Sequence, residues 1–223
     1  QGLGRLDKAL PLAEQYVQGK KTIEDDWLQF MVSVNAELKR YGQAEIWQKQ
    51  ILQRNVDQLS AWQQLATLQQ LAGQYVKSLA TLRTAYSRGM QFSQADLQDL
   101  IHLAAASDQP WQAARLMVGM LETGLLTASV AHQERLALLH WQARDYQSAA
   151  AEYAQLAKQT GKGQYWLDLA QLEIQQGHWD AGLQALAAAE KRGVSQQQIR
   201  AWRDWVKGRV ELEQQRSNQF ARK

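Results

Sequence analysis

The stretch Trp62–Gly89, WQQLATLQQLAGQYVKSLATLRTAYSRG, decides the fold. In its first half Trp62, Leu65, Ala66 and Leu68 recur at helical spacing, and Gly73 with Gln74 breaks the run. Tyr75 then opens a second run carrying Leu79, Leu82 and Ala85, which Gly89 ends. The pattern predicts two short amphipathic helices packed back to back.

The same arrangement returns between Trp166 and Gly193, with Trp166, Leu169 and Ala170 before Gly177 and Trp179, Leu186 and Ala189 after it. Looser copies carry Leu97, Leu100, Ile101, Trp111, Ala113 and Met117, then Leu136, Ala137, Tyr146, Ala149 and Tyr153; upstream, Leu28, Met31, Tyr41, Ala44 and Ile51 form another. The aromatic that opens each second helix falls at Tyr41, Tyr75, Trp111, Tyr146 and Trp179, giving steps of 34, 36, 35 and 33 residues. This periodicity resembles the tetratricopeptide repeat over almost the whole chain. The resemblance implies an all-α, right-handed superhelical solenoid of antiparallel helix pairs.

The expected layout is one solenoid over residues 1–223: a half repeat at 5–19, helix pairs at 22–56, 57–90, 93–125, 128–161 and 163–193, and a closing helix at 195–215. Leu6, Ala9, Ala13 and Tyr16 read as the inner face of the half repeat, with Pro11 expected to kink it or delay its start. Its unpaired side is expected to meet missing residues or a second copy of the chain, and residue 1 is read as not the natural start. Capping residues are expected at Thr22 with Asp25, at Asp57 or Ser60, at Ser93 with Asp96, at Asp145, and at Ser195 with Gln198. Phe92 is placed to staple onto Leu97. Pro110 suits the first turn of a helix, where a missing N–H is harmless. Ile199, Trp202, Val206 and Val210 form one face of the last helix, and the tail SNQFARK is expected to fray.

Two prolines and a wealth of Gln, Ala and Leu agree with helix throughout. Four of the nine tryptophans, Trp62, Trp111, Trp166 and Trp179, sit on repeat positions and are expected to pack the core. No cysteine is present, so no disulfide or thiolate metal site can form. No apolar run is long enough to span a membrane.

A catalytic centre would need a nucleophile or an acid–base pair, and the four histidines, His102, His132, His140 and His178, are scattered. His132 and His140 stand two turns apart, about 12 Å along a helix axis, too far to share a metal unaided. Glu24, Asp25 and Asp26 suit the positive end of a helix dipole. Neither a phosphate loop nor a hydrolase motif occurs, so a non-enzymatic protein without cofactor or metal is expected.

The repeat resemblance implies that the first helix of each pair lines an inner groove. Its candidates are Gln29, Ser33 and Glu37; Gln63, Thr67 and Gln70; Gln98 and His102; Glu134, Leu138 and Trp141; and Leu167, Gln171 and Ile174. Such a mixture suits an extended peptide or a partner helix, with Leu138 and Trp141 as anchors. Family members that clamp a peptide's terminal carboxylate use Lys, Arg and Asn, where this chain has Gln, Ser and Thr.

The net charge of +3 is uneven: from Lys191 to Lys223 there are nine Lys or Arg against three Asp or Glu. Arg200, Arg203, Lys207, Arg209, Arg216, Arg222 and Lys223 suit a solvated helix face; the alternative reading is contact with nucleic acid or an anionic surface. Finally, GMQFSQADLQDLIHLAAASDQPWQAARLMVGMLETGLL, with Pro110, Trp111, Ala113 and Ala114 at its turn, resembles repeat proteins of the TonB, ExbB and ExbD energy-transduction systems. That resemblance implies a periplasmic accessory of TonB-dependent uptake, with TonB-complex components as partners; a general envelope or cytoplasmic adaptor is the alternative.

Overall fold

Five first helices of identical length, 13 residues each, set the beat of the chain: α2 (Asp25–Glu37), α4 (Leu59–Leu71), α6 (Gln94–Ala106), α8 (Val130–Gln142) and α10 (Gly163–Gln175). Each is followed at the same offset (25 to 41, 59 to 75, 94 to 110, 130 to 146, 163 to 179) by α3 (Tyr41–Arg54), α5 (Tyr75–Ser87), α7 (Pro110–Glu122), α9 (Tyr146–Thr160) and α11 (Trp179–Glu190). α1 (Leu3–Gln18) precedes them and α12 (Gln196–Phe220) follows. The computed structural model describes the backbone of residues 3–220, with side chains at residue 6 and residues 8–216. Every regular element among the described residues is helical, so the fold is an all-α helical-repeat solenoid.

The chain gathers into two compact units, residues 1–109 and 110–223, which divide inside the stretch 93–125 read above as one pair. Within the first, each of α1 to α5 packs on the next helix; within the second, each of α7 to α11 does the same.

A common turn joins the helices of a pair. Lys39, Gly73, Asp108, Arg144 and Gly177 all take left-handed backbone, and the residue after each donates its N–H five residues back, as Gln74 does to Gln69 O at 2.8 Å and His178 to Glu173 O at 2.9 Å. This doubly bonded turn closes a helix, and only glycine adopts it without strain, which is why Gly73 and Gly177 were the visible signals. In this register the second helix of the third pair starts at Pro110, not at Trp111. Trp111 therefore falls on the second helical position and is 54% exposed, with the Arg115 guanidinium over its ring at 4.8 Å, and does not pack the core as expected. Trp62, Trp166 and Trp179 are half-buried against their expected clusters.

Three capping residues hold and three do not. Ser93 and Asp96 form a reciprocal capping box, Asp145 caps its helix, and Ser195 accepts from Gln198 N–H at 3.4 Å and donates to its side chain at 2.9 Å; Ser129 is a further cap, on α8. α2 begins at Asp25 after an extended Glu24, so Thr22 is not its cap, and α4 follows Gln58 rather than Asp57 or Ser60. Asp25 is instead paired with Arg54, which also donates to Ile23 O at 2.9 Å. Phe92 lies edge-on to Tyr86, with ring centroids 5.7 Å apart.

α1 runs unbroken through Pro11: burial of Leu10, Ala13 and Val17 against Met31 and Val34 outweighs one lost hydrogen bond. Tyr16 lies on the Trp27 ring at 4.3 Å rather than in this core. α12 is longer than expected, because a nucleated helix gains one bond per residue added. It remains helical through Phe220, so the frayed tail expected there is not seen up to that residue; the rest of the tail lies outside the described residues.

The fourth residue of every second helix is small and buried: Ala44, Ser78, Ala113, Ala149 and Gly182. Gly182 shows why. A Cβ there would meet Ile174 Cγ1 at 2.5 Å and Ala170 O at 3.4 Å, so α10 and α11 approach too closely for a side chain. In residues 1–109 the core also encloses polar groups. Glu45 on α3 is 5% exposed and holds Lys49 at 2.9 Å, Lys77 on α5 at 2.8 Å and the Gln69 amide on α4 at 3.2 Å. Burial pushes its carboxyl upward, but the two ammonium groups and the amide outweigh that and hold its pKa at about 2, below its usual 4.5.

Gly182→Val is expected to lower stability by about 1 to 3 kcal/mol in denaturant unfolding, with Ile174→Ala restoring part of the loss. Gly208→Ala, in open space on α12, is the control that costs nothing. Glu45→Gln is expected to destabilise the protein at pH 6 by on the order of 2 to 3 kcal/mol. A depressed carboxyl stabilises above its unfolded value and loses that contribution as pH falls, so the difference from the parent shrinks between about pH 4.5 and 2, measured by urea unfolding at stepped pH.

Candidate functional site

In α2, α4, α6 and α8 the fifth, ninth and twelfth residues lie exposed or half-buried on one face, because these positions recur at helical spacing opposite the buried seventh and tenth residues. In α8 that face carries Leu138 and Trp141, 44% and 48% exposed. In α10 it carries Gln171, while the expected Leu167 and Ile174 are core residues, each 1% exposed. Both belong to a cluster that α10 shares with α9, α11 and α12, through Ala149, Leu186, Ile199 and Val206 among others, and Ile174 packs directly against Gly182 of α11.

Around Leu138, Trp141 and Gln171 lies a cleft of about 590 Å³, with Ile174 in its wall. α9 contributes Tyr153, α10 adds Asp168, Leu172 and Gln175, and α12 adds Ala201, Trp202 and Trp205. Sequence reasoning placed Trp202 on the packing face of α12 and did not mark Tyr153, Asp168 or Trp205 as site residues. The indoles are fixed against one another: Trp205 lies 6.0 Å from Trp179 and 6.1 Å from Trp202 between ring centroids. Trp179 is further held through its Nε1–H, which donates to Glu213 at 3.1 Å.

Asp168 is the one carboxylate lining this cleft. It accepts a hydrogen bond from the Gln164 amide at 2.8 Å, and among the described residues no cation lies within ion-pair distance of it. Burial pushes its carboxyl above the usual range, against the smaller effect of Gln164. Burial likewise raises the Tyr153 phenol, helped by the negative charges of Asp168 and Glu134. Glu134, an expected groove residue, is occupied by the Tyr165 hydroxyl, which donates to it across α8 and α10.

Two further clefts in residues 1–109 are lined by expected groove residues. One, about 650 Å³, brings together Gln29, Ser33, Gln63 and Thr67 between α2, α3 and α4; the other, about 440 Å³, joins Gln63, Thr67, Gln70 and His102. Several of these groups serve the chain itself: Gln63 donates to Asp96 at 2.8 Å, Thr67 to Gln63 O at 2.8 Å, and Gln70 to Ser78 at 3.1 Å. Glu37 and Gln98 line none of the three clefts.

The basic helix is partly engaged as well. Arg203 pairs with Glu190 at 2.6 Å and Arg209 covers the Trp205 ring at 5.2 Å, while Arg200, Lys207 and Arg216 are exposed. Arg222 and Lys223 lie outside the described residues. His140 stands 3.2 Å from Asp145 and His178 2.8 Å from Glu173, and no group of potential metal ligands assembles among the described residues.

An ionised carboxylate held in a partly buried cleft without a cation destabilises the folded chain. Asp168→Asn is therefore expected to raise the melting temperature at pH 7. A raised folded-state pKa means that the parent regains this stability as pH falls, so the gain disappears below about pH 4 in parallel calorimetric melts.

No protein-family model matches the chain, and no curated protein does. Among solved structures it is similar to YrrB, described as a tetratricopeptide repeat protein with an unusual peptide-binding site, at 11% identity and TM-score 0.49 over 86% of this chain and 97% of that one. It is also similar to a tetratricopeptide repeat protein of Parabacteroides merdae ATCC 43184, at 13% identity and TM-score 0.43 over 91% and 93% of the two chains. The P58(IPK) TPR domain shares 14% identity, with TM-score 0.41 over 96% of this chain and 67% of that one.

Proposed function

We propose that this chain is a non-enzymatic scaffold that binds a segment of another protein, and that the cleft between α8, α9, α10 and α12 is its principal docking site. The observation that carries this reading is the exposure of Leu138, Trp141 and Trp205, between 43% and 48%, around one concave surface. Large apolar side chains left open in a cleft gain most by burying themselves against a partner, and tryptophan dominates such contacts. The helices supporting them are packed at their backs, so little ordering is needed on binding.

The finer reading rests on the resemblance around Pro110 and Trp111: the partner belongs to a TonB, ExbB and ExbD system, and the scaffold works in the periplasm as an accessory of uptake.

Selection of a displayed 12-residue peptide library on the immobilised chain is expected to yield binders that Trp141→Ala and Leu138→Ala each weaken tenfold or more by calorimetry. The scaffold reading fails at this cleft if no sequence is selected, or if both variants bind as the parent does. For the finer reading, a photo-cross-linker in place of Trp141 in Gram-negative cells is expected to capture TonB, ExbB or ExbD. A wholly cytosolic location of the native full-length protein removes that assignment.

A further inference from the structure

The cleft between α8, α9, α10 and α12 combines two features that a purely apolar docking surface has no use for. Indole and phenol rings of Trp141, Trp202, Trp205 and Tyr153 border it, and the carboxylate of Asp168 stands among them, hydrogen-bonded to the neutral Gln164 amide and without a cation among the described residues. Aromatic rings present negative faces that attract cations, and a desolvated carboxylate attracts them more strongly. The same unit already stacks arginine on indole three times: Arg115 on Trp111 at 4.8 Å, Arg192 on Trp166 at 4.9 Å and Arg209 on Trp205 at 5.2 Å.

We infer that this cleft recognises a cationic side chain, arginine foremost, flanked by apolar residues in the partner segment, with Asp168 as its counter-ion and the indoles as its walls. The inference rests on the scaffold reading and specifies the partner's chemistry. Arginine fits better than lysine because its planar guanidinium can lie flat on an indole while presenting paired N–H groups to a carboxylate. The flanking apolar residues cover Leu138 and the exposed side of Trp141. Burial that raises the free Asp168 carboxyl acts in the same sense: a bound guanidinium relieves the cost of holding that charge away from water. This selectivity is opposite in sign to a groove of Lys and Arg that grips a peptide's terminal carboxylate.

The test follows the indole N–H signals of Trp141, Trp202 and Trp205 by nitrogen-15 NMR during titration with N-acetyl-Leu-Arg-Leu-amide, its citrulline analogue and its glutamate analogue. Citrulline keeps the shape of arginine and removes the charge. The arginine peptide is expected to bind at least tenfold more tightly than either analogue, and Asp168→Asn is expected to reduce it to the citrulline level while the remaining spectrum stays unchanged. Equal affinity for arginine and citrulline peptides, or an arginine preference that survives Asp168→Asn, overturns the charge assignment and leaves the scaffold reading standing. If none of the three peptides moves the indole signals, the cation site is overturned, while the library selection judges the scaffold reading independently.

Discussion

Two helices can share a core only as closely as the side chains between them allow, and at Gly182 α10 and α11 leave no room for one. The fourth residue of each second helix is Ala44, Ser78, Ala113, Ala149 or Gly182, and all are buried. At Gly182 the Ile174 side chain of α10 comes so near that one added carbon would collide with it. The seventh and tenth residues of the first helix, such as Leu136 and Leu139, are buried, and the fifth and ninth stand on the opposite face, where Leu167 of α10 is the buried exception. Helices of 12 to 15 residues are marginal alone, so the close packing that supplies their stability also orients the surface they offer.

The two units solve this packing problem with different chemistry. Residues 1–109 bury Asn35, Glu45, Gln48, Gln69 and Ser78 and satisfy most of them across helices, as Gln48 does by donating to Ala61 O and Gln64 at 3.1 Å. A charge such as Glu45 tolerates that setting only because Lys49, Lys77 and Gln69 surround it, so the network specifies which helices are neighbours. In residues 110–223 the buried set is Leu, Ala, Met, Ile and Val with Tyr165, and the unusual polar group is Asp168 at the cleft wall. The polar clefts of the first unit consume much of their hydrogen-bonding capacity internally. The cleft of the second leaves Leu138 and Trp141 open and its Asp168 carboxylate without a cation among the described residues.

How much of this could be read beforehand differs from element to element. The turns at Gly73 and Gly177 were visible because glycine tolerates left-handed backbone, whereas Lys39, Asp108 and Arg144 occupy the same conformation without advertising it. That hidden turn explains the misplacement of Trp111: Pro110 opens the helix, and an aromatic one residue late faces water instead of the core. The exposure of Leu138 and Trp141 was legible, since apolar residues on the polar side of an amphipathic helix violate its pattern. Leu167 and Ile174 broke the same rule, yet they pack in the core.

Local sequence determined the helices, their order, their common length and the face each presents, because these depend on side chains three or four residues apart and on the backbone preferences of single turn residues. Which of those faces stays open was decided only by tertiary packing. α9, α11 and α12 bury Leu167 and Ile174 of α10 among them, and α12 brings Trp202 and Trp205 to the cleft that Trp141 and Asp168 line. Residues separated by more than thirty or sixty positions share one cleft, and no periodicity along the chain encodes that meeting, since it depends on how whole helices stack rather than on how any one of them is written.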